Sequence, residues 1–185
     1  MSFIQNIKLF FHRQSLKKQL KQLRRPSGKR LPNFDQDRSL GILFDATDLE
    51  KRQEVLQFAE KLKKKNKKVH LLGFFNNRLE NNNFTFNHFN RKQIDWALRP
   101  KGEAINEFLQ QDFDFFIHAN TQTHIYSEYI ASLVNARFKV GPFTENVHCY
   151  DLMIDMKNNT TLPAYFNQIE LLLEKTNTKH EAAPL

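Results

Sequence analysis

Glycine is scarce in this sequence, and the few glycines lie far apart. The five are Gly28, Gly41, Gly73, Gly102 and Gly141. Neither the G-x-G-x-x-G fingerprint nor the P-loop pattern can be written anywhere along the chain. Both motifs let backbone amides approach the phosphates of a nucleotide. Their absence excludes the common phosphate-binding loops, and no cofactor is predicted.

Cysteine is scarcer still, because Cys149 is the only one. A single cysteine excludes an internal disulfide and agrees with a reducing cytoplasm. The spacing of His118, His124, His148 and Cys149 matches no standard zinc site, so no metal is predicted. His148 is the one base beside Cys149, and neighbouring residues of a strand point to opposite faces. We therefore predict that Cys149 is a buried structural thiol.

Long apolar runs are also missing. No segment approaches the roughly 18 apolar residues that a membrane-spanning helix needs. The N-terminal stretch FIQNIKLFF is interrupted by Gln5, Asn6 and Lys8, which is not typical of a secretory signal. The prediction is a cytoplasmic protein, either free or held peripherally at the inner face of the membrane.

Acidic residues are absent from the start of the chain. Residues 1–30 hold nine Lys or Arg and no Asp or Glu. The remainder keeps 19 basic and 20 acidic residues, so the net charge of +8 comes from this arm. A localised basic segment is typical of proteins that meet a polyanion. The predicted contacts to an anionic partner are Lys17, Lys18, Lys21, Arg24, Arg25, Lys29 and Arg30.

The arm has helical periodicity with two opposed apolar stripes, at about 100° per residue. One is the apolar contact stripe, Phe3, Ile7, Phe10 and Phe11 with Ile4 beside them, and the other is the leucine stripe, Leu9, Leu16, Leu20 and Leu23. Opposed stripes cannot face one surface, so either the helix breaks near residues 12–15 or it runs straight. We favour a leucine stripe on the body and a free apolar contact stripe. Pro26, Gly28 and Pro32 are expected to end the helix and form a linker.

Past residue 38, short apolar strands alternate with amphipathic helices. The predicted strands are SLGILFDATD, KKVHLLGFF, DFDFFIHAN, RFKVG and CYDLMIDM, with one or two short edge strands after the second. Strands that are apolar throughout need helices on both faces. The prediction is α/β, a single doubly wound and mostly parallel sheet of about five strands, preceded by the basic amphipathic helix. Its parts are an arm (1–30), a linker (31–38), a Rossmann-like domain (39–177) and a flexible tail (178–185).

Three segments of the body carry a resemblance. FDFFIHAN, SLVNARFKVGPF and YDLMID together resemble an uncharacterised bacterial family of short α/β proteins. Residues 112–143 also resemble the first domain of heptosyltransferase-type glycosyltransferases, in which a strand, a helix and an Ala-Arg-X-X-X-Gly segment follow one another. That family needs a second Rossmann-like domain for its nucleotide sugar, and this chain has no room for one. The second resemblance therefore implies the fold and not the transferase activity.

Polar residues and one glycine follow the predicted strands, at the edge where open parallel sheets bind ligands. They are Asp45, Thr47, Asp48, Asn76, Asn77, His118, Asn120, Thr121, Gly141 and Asp155. Asp45, His118, Asn120 and Asp155 are the candidate catalytic residues, because carboxylate, imidazole and amide groups can do acid/base work or hold a polar ligand. Helix capping and loop exposure are the simpler explanation of the same residues.

The sequence leaves two hypotheses about function open. The leading hypothesis is a non-catalytic binding or adaptor module whose basic arm docks on an anionic partner. RNA or a ribonucleoprotein ranks ahead of a membrane surface, and a protein partner is a further alternative. The second hypothesis is a small enzyme or ligand-binding domain, a glycosyltransferase-like half fold, that uses the crevice around Asp45, His118 and Asn120. Trp96 is expected to be a core or lid ring rather than a base-stacking platform.

Overall fold

A computed structural model describes residues 3–23, 38–79, 83–120, 124–145, 149–155 and 161–181. Helices and strands alternate along the chain after an N-terminal helix. Their order is α1 (Phe3–Gln22), β1 (Ser39–Asp45), α2 (Leu49–Lys64), β2 (Lys68–Phe75), β3 (Asn87–Asn90), a 3₁₀ turn (Arg91–Gln93), α3 (Glu103–Leu109), β4 (Asp112–Ala119), α4 (Ile125–Leu133), β5 (Asn135–Pro142), β6 (Leu152–Ile154) and α5 (Leu162–Glu181).

The six strands form one parallel sheet in the order β3-β2-β1-β4-β5-β6. The predicted parallel α/β sheet is confirmed, with six strands where about five were expected, and β3 is a short edge strand of the predicted kind. The strand order reverses between β1 and β4. Phe44 pairs with Ala119 across this reversal, so Asp45 and Asn120 lie side by side at the carboxyl ends of the two strands.

Helices cover both faces of the sheet, as the apolar strands require. One core cluster contains Val55 and Phe58 of α2 together with Phe166 of α5, and the other contains Phe108 of α3 and Ile130 of α4. Phe58 and Phe166 stack with their ring centroids 4.0 Å apart. The chain is therefore doubly wound, with α2 and α5 on one face and α3 and α4 on the other.

Large rings approach the strand backbone where the strands carry glycine. A Cβ added at Gly73 would lie 2.6 Å from the Phe86 ring, and one at Gly141 would overlap the Tyr150 ring. Real Cβ atoms do not approach other carbon atoms so closely. Gly73 and Gly141 thus make room for aromatic side chains, which is a packing role.

Helix α1 is unbroken and lies outside both core clusters, neither of which contains a residue of α1. It docks through a polar centre. His12 Nδ1 lies 3.3 Å from the Ala97 carbonyl oxygen, Gln19 Nε2 donates to the Tyr129 hydroxyl at 2.6 Å, and Ser15 Oγ lies 3.1 Å from the same hydroxyl. His12 is the buried residue of α1.

The two stripes of α1 take the sides that the sequence predicts. The apolar contact stripe is exposed, and the leucine stripe is half-buried towards the body. Leu9, Leu16 and Leu20 line a groove of ≈ 960 Å³ between α1 and α4. His12 contacts the 94–100 loop, so polar and apolar contacts together hold the helix.

Two further features concern the helices. Helix α5 reaches Glu181, past Asn177, where the sequence suggested that the ordered domain ends. Within the part of the chain that the structure describes, no helix combines the length and the hydrophobicity needed to cross a bilayer.

Candidate functional site

The first candidate site is the crevice at the strand-order reversal, where Asp45, Asn120 and His124 meet. The Asp45 backbone N–H donates to Asn120 Oδ1 at 2.6 Å, and His124 Nε2 lies 3.7 Å from Asp45 Oδ2. The side chains of Asp45 and His124 are 28% and 35% exposed, so this pair can be reached from solvent. A carboxylate next to an imidazole at this position can bind a polar group or exchange a proton with it.

Local hydrogen bonds shape the rim of this crevice. Asp45 Oδ1 accepts from the Thr47 backbone N–H at 2.8 Å, and Thr47 Oγ1 accepts from the Asn76 N–H at 2.7 Å. Asp48 caps α2 by accepting from the Lys51 N–H at 2.9 Å. In dinucleotide-binding folds with this strand order, the pyrophosphate lies at that helix N-terminus. Here a carboxylate lies there instead, which agrees with the missing glycine-rich loop.

His118 is placed in the core rather than in the crevice. Its side chain is fully buried, and its Nδ1 forms a hydrogen bond of 2.5 Å with the Tyr150 hydroxyl. Burial lowers the pKa of His118 to about 3, with His124 contributing in the same direction. Its Nε2 has no hydrogen-bond partner among the described residues. His118 is therefore a neutral core side chain that positions Tyr150.

Asp155 lies apart from the other candidates. It follows β6, the edge strand, and two strands, β4 and β5, separate β6 from β1. Asp45 and Asn120 are thus the only two of the four predicted catalytic candidates that the described structure brings into contact. Thr121 and His148 lie outside the described residues, and no group of three His, Cys, Asp or Glu within the described ranges could hold a metal ion.

His124 is the crevice residue that the sequence analysis considered only as a zinc ligand. It occupies the N-cap position of α4, directly after the β4–α4 connection. The signal that could have identified it is its place at a helix start behind a strand end, because such positions lie at the ligand-binding edge of a parallel sheet.

Cys149 is buried, as predicted. Its Sγ lies 3.1 Å from Ser132 Oγ, and burial raises the pKa of the thiol. A protonated thiol is a poor nucleophile. The predicted burial of Cys149 is confirmed.

The second candidate site is the outward face of α1. Phe3 is 78% exposed and Phe10 57%, and Ile4, Ile7 and Phe11 are exposed beside them. Lys17, Lys18 and Lys21 are exposed as well. The other predicted cationic contacts, Arg24, Arg25, Lys29 and Arg30, lie outside the described residues. This face combines large apolar side chains with positive charge.

Trp96 adjoins this face, so the core alternative of its prediction is wrong, and the lid alternative stays a prediction. The ring is 57% exposed, and its centroid lies 5.2 Å from that of Phe11. Asp95 stabilises the turn that contains Trp96, since its carboxylate binds Arg99 at 2.7 Å and Lys101 at 2.9 Å. Burial acts to raise the pKa of the Asp95 carboxyl, but hydrogen bonds from Arg99 and Lys101 outweigh it and hold the pKa well below its ordinary value.

Comparison with known proteins gives one match. The family of unknown function DUF6913 matches residues 8–175, which include most of α1 and all six strands. The chain belongs to this family. No curated protein and no solved structure matches the chain. The predicted resemblance to a family without an assigned activity is confirmed, and the similarity to heptosyltransferase-type glycosyltransferases stays a prediction.

Proposed function

We propose that the protein is a non-catalytic binding module that docks on an anionic partner through α1 and the basic segment after it. The observation that carries the proposal is the orientation of α1. Its polar centre faces the body through His12 and Gln19, which leaves Lys17, Lys18 and Lys21 on the outer side.

The charge distribution supports the same function. Residues 1–30 carry nine positive charges without a single carboxylate, whereas the remainder of the chain is near neutral. A concentrated positive field accelerates and strengthens association with polyanions. In sequence, Arg24, Arg25, Lys29 and Arg30 continue the cationic series that begins on α1.

The proposal is tested by binding of the full chain to two anionic probes, phospholipid vesicles and single-stranded RNA, at low ionic strength. Binding to one of them is expected, and it should weaken as salt is raised because counterions screen the cationic segment. A full chain that binds neither probe at low salt contradicts the proposal.

A second candidate function, binding of a small polar ligand, is favoured by one observation. The strand order reverses between β1 and β4, and Asp45, Asn120 and His124 come together at that point. Open α/β sheets bind their ligands at such a reversal. Asp45 and His124 would contact the ligand, and Asn120 would hold the Asp45 backbone in place.

The ligand-binding function predicts that a screen of polar small molecules will find one that raises the melting temperature. Asp45→Asn should remove this rise and leave the unliganded protein folded, because the amide oxygen can still accept from the Thr47 N–H. Asp155→Asn is the matched control, since Asp155 follows a strand of the same sheet but lies away from the crevice. A screen without any thermal shift, or an equal loss in both variants, contradicts this function.

A further inference from the structure

The outward face of α1 changes character along its length. At about 100° per residue, Phe3, Ile7 and Phe10 lie on the same line of the helix as Lys17 and Lys21. All five are exposed. The first half of this face is therefore apolar and the second half cationic, over an axial distance of about 27 Å. The apolar half and the cationic half lie on the same side of the helix. A projection of the sequence down the helix axis therefore does not separate them.

Trp96 extends the apolar half beyond the helix. Its ring meets Phe11 edge to face, and Phe10 and Phe11 make a similar contact with centroids 5.6 Å apart. Trp96 is the only tryptophan of the chain, and it is more than half exposed. Tryptophan is enriched where proteins meet the interface of a bilayer, because its ring is apolar and its N–H is polar.

We infer that α1 and Trp96 form a docking surface for an anionic phospholipid membrane. This inference rests on the proposed function and names its partner. The apolar half, Phe3, Ile4, Ile7, Phe10, Phe11 and Trp96, enters the boundary between headgroups and acyl chains. Lys17, Lys18 and Lys21 lie at the level of the lipid phosphates.

The apolar half decides between lipid and RNA. Phosphate contacts need cations alone, and bases stack on aromatic rings, so RNA would leave the aliphatic side chains of Ile4 and Ile7 in water. A bilayer removes these side chains from water and also supplies negative charge to the lysines. A second copy of the chain, paired through α1, would bring no negative charge to Lys17 and Lys21, because residues 1–30 contain no carboxylate. Charge complementarity therefore favours the lipid surface.

The test is flotation of the full chain with vesicles of equal parts phosphatidylglycerol and phosphatidylcholine, with phosphatidylcholine vesicles and an oligouridylate RNA as parallel probes. An apolar variant carries Phe3→Ser, Ile7→Ser, Phe10→Ser and Phe11→Ser. A basic variant carries Lys17→Gln, Lys18→Gln and Lys21→Gln. All seven positions are exposed, so both variants should melt like the unchanged protein.

Each variant has a matched control on other faces of the domain. Leu49→Ser, Leu79→Ser, Leu171→Ser and Leu172→Ser remove four leucines that are 37–67% exposed. Lys51→Gln, Lys64→Gln and Lys68→Gln remove three exposed lysines. Neither control should change affinity for anionic vesicles by more than about threefold, because these residues lie away from α1.

The apolar variant is expected to lose anionic-vesicle affinity by a factor of about 100 or more, since four large side chains no longer leave water. The basic variant is expected to lose a factor of about five per lysine, on the order of 100 in total, on anionic vesicles. It should lose little on phosphatidylcholine.

Three results overturn the inference. If the full chain binds RNA but not vesicles, the proposed function stands and the lipid partner is wrong. If it binds neither, both are wrong. If the apolar variant floats with anionic vesicles as well as its leucine control does, the apolar half is not the docking surface.

Discussion

Deletion of residues 1–30 should abolish binding to anionic surfaces and leave a folded, cooperatively melting domain. The loss of binding follows from the nine positive charges that the deletion removes. The domain should survive because neither core cluster contains a residue of α1. The body contacts that disappear include the hydrogen bonds of His12 to Ala97 and of Ser15 and Gln19 to Tyr129, and the ring contact of Phe11 with Trp96.

The thermal cost of this deletion can be bounded. Net contributions of about 1 kcal/mol per hydrogen bond suggest a loss of about 1–3 kcal/mol, against a typical domain stability of about 5–15 kcal/mol. The melting temperature should therefore fall by roughly 2–12 °C. Calorimetry of the full chain and the truncated chain measures this shift. A truncated chain without a cooperative transition would show that α1 belongs to the core, and one that binds anionic surfaces as the full chain does would contradict the proposed role of α1.

Acidification should destabilise the protein well before its carboxylates are protonated. The pKa of His118 falls from 6.5 to about 3 on folding because the ring is buried. The unfolded chain therefore binds a proton at His118 that the folded chain rejects. The stabilising effect is complete above pH 6.5 and is lost as the pH falls through 6.5 towards 3. The slope approaches its limit of about 1.4 kcal/mol per pH unit below pH 6.5. Stability should therefore fall by on the order of 2 kcal/mol between pH 6.5 and about 4.5.

A variant assigns this pH dependence to His118. His12 and His70 also have lowered pKa values because of burial, so they act in the same direction. His118→Gln cannot titrate, but its amide can still form a hydrogen bond with the Tyr150 hydroxyl. Denaturant unfolding of both proteins at several pH values should give a slope that is smaller by up to about 1.4 kcal/mol per pH unit in the variant. Equal slopes in the two proteins would mean that folding does not lower the pKa of His118.

The fold could be predicted from the sequence because its strands are short, apolar and separated by turn residues. The predicted strands SLGILFDATD and KKVHLLGFF contain β1 and β2, although β1 ends at Asp45, three residues before the predicted end. Strand β3 was harder, since NHFN has only four residues and Phe89 is the only apolar one among them. Strand order was not predicted, because periodicity within a strand carries no information about which strand lies next to it.

The candidate sites were predictable in part, for related reasons. Asp45 and Asn120 end adjacent strands, and the parallel arrangement alone brings strand ends to one edge. His118 is two residues before Asn120, and only the packing of Tyr150 shows that its side chain is enclosed. The exposure of Trp96 could not be predicted, because no local pattern in IDWALRPK reveals the ion pairs of Asp95. On α1, helical spacing identified the exposed stripe. The docking of the helix through His12 could not be predicted, because it depends on where the fold places Ala97.

The fluorescence of Trp96 tests most directly whether α1 and Trp96 dock on an anionic lipid surface. Trp96 is the only tryptophan of the chain and lies against Phe11, so its fluorescence reports on this surface without a label. Anionic vesicles should shift its emission to shorter wavelength, and lipids with brominated acyl chains should quench it, because the ring enters the apolar boundary. High salt should reverse both effects. Emission that stays unchanged, while the full chain is mixed with excess anionic vesicles at low salt, would contradict the account.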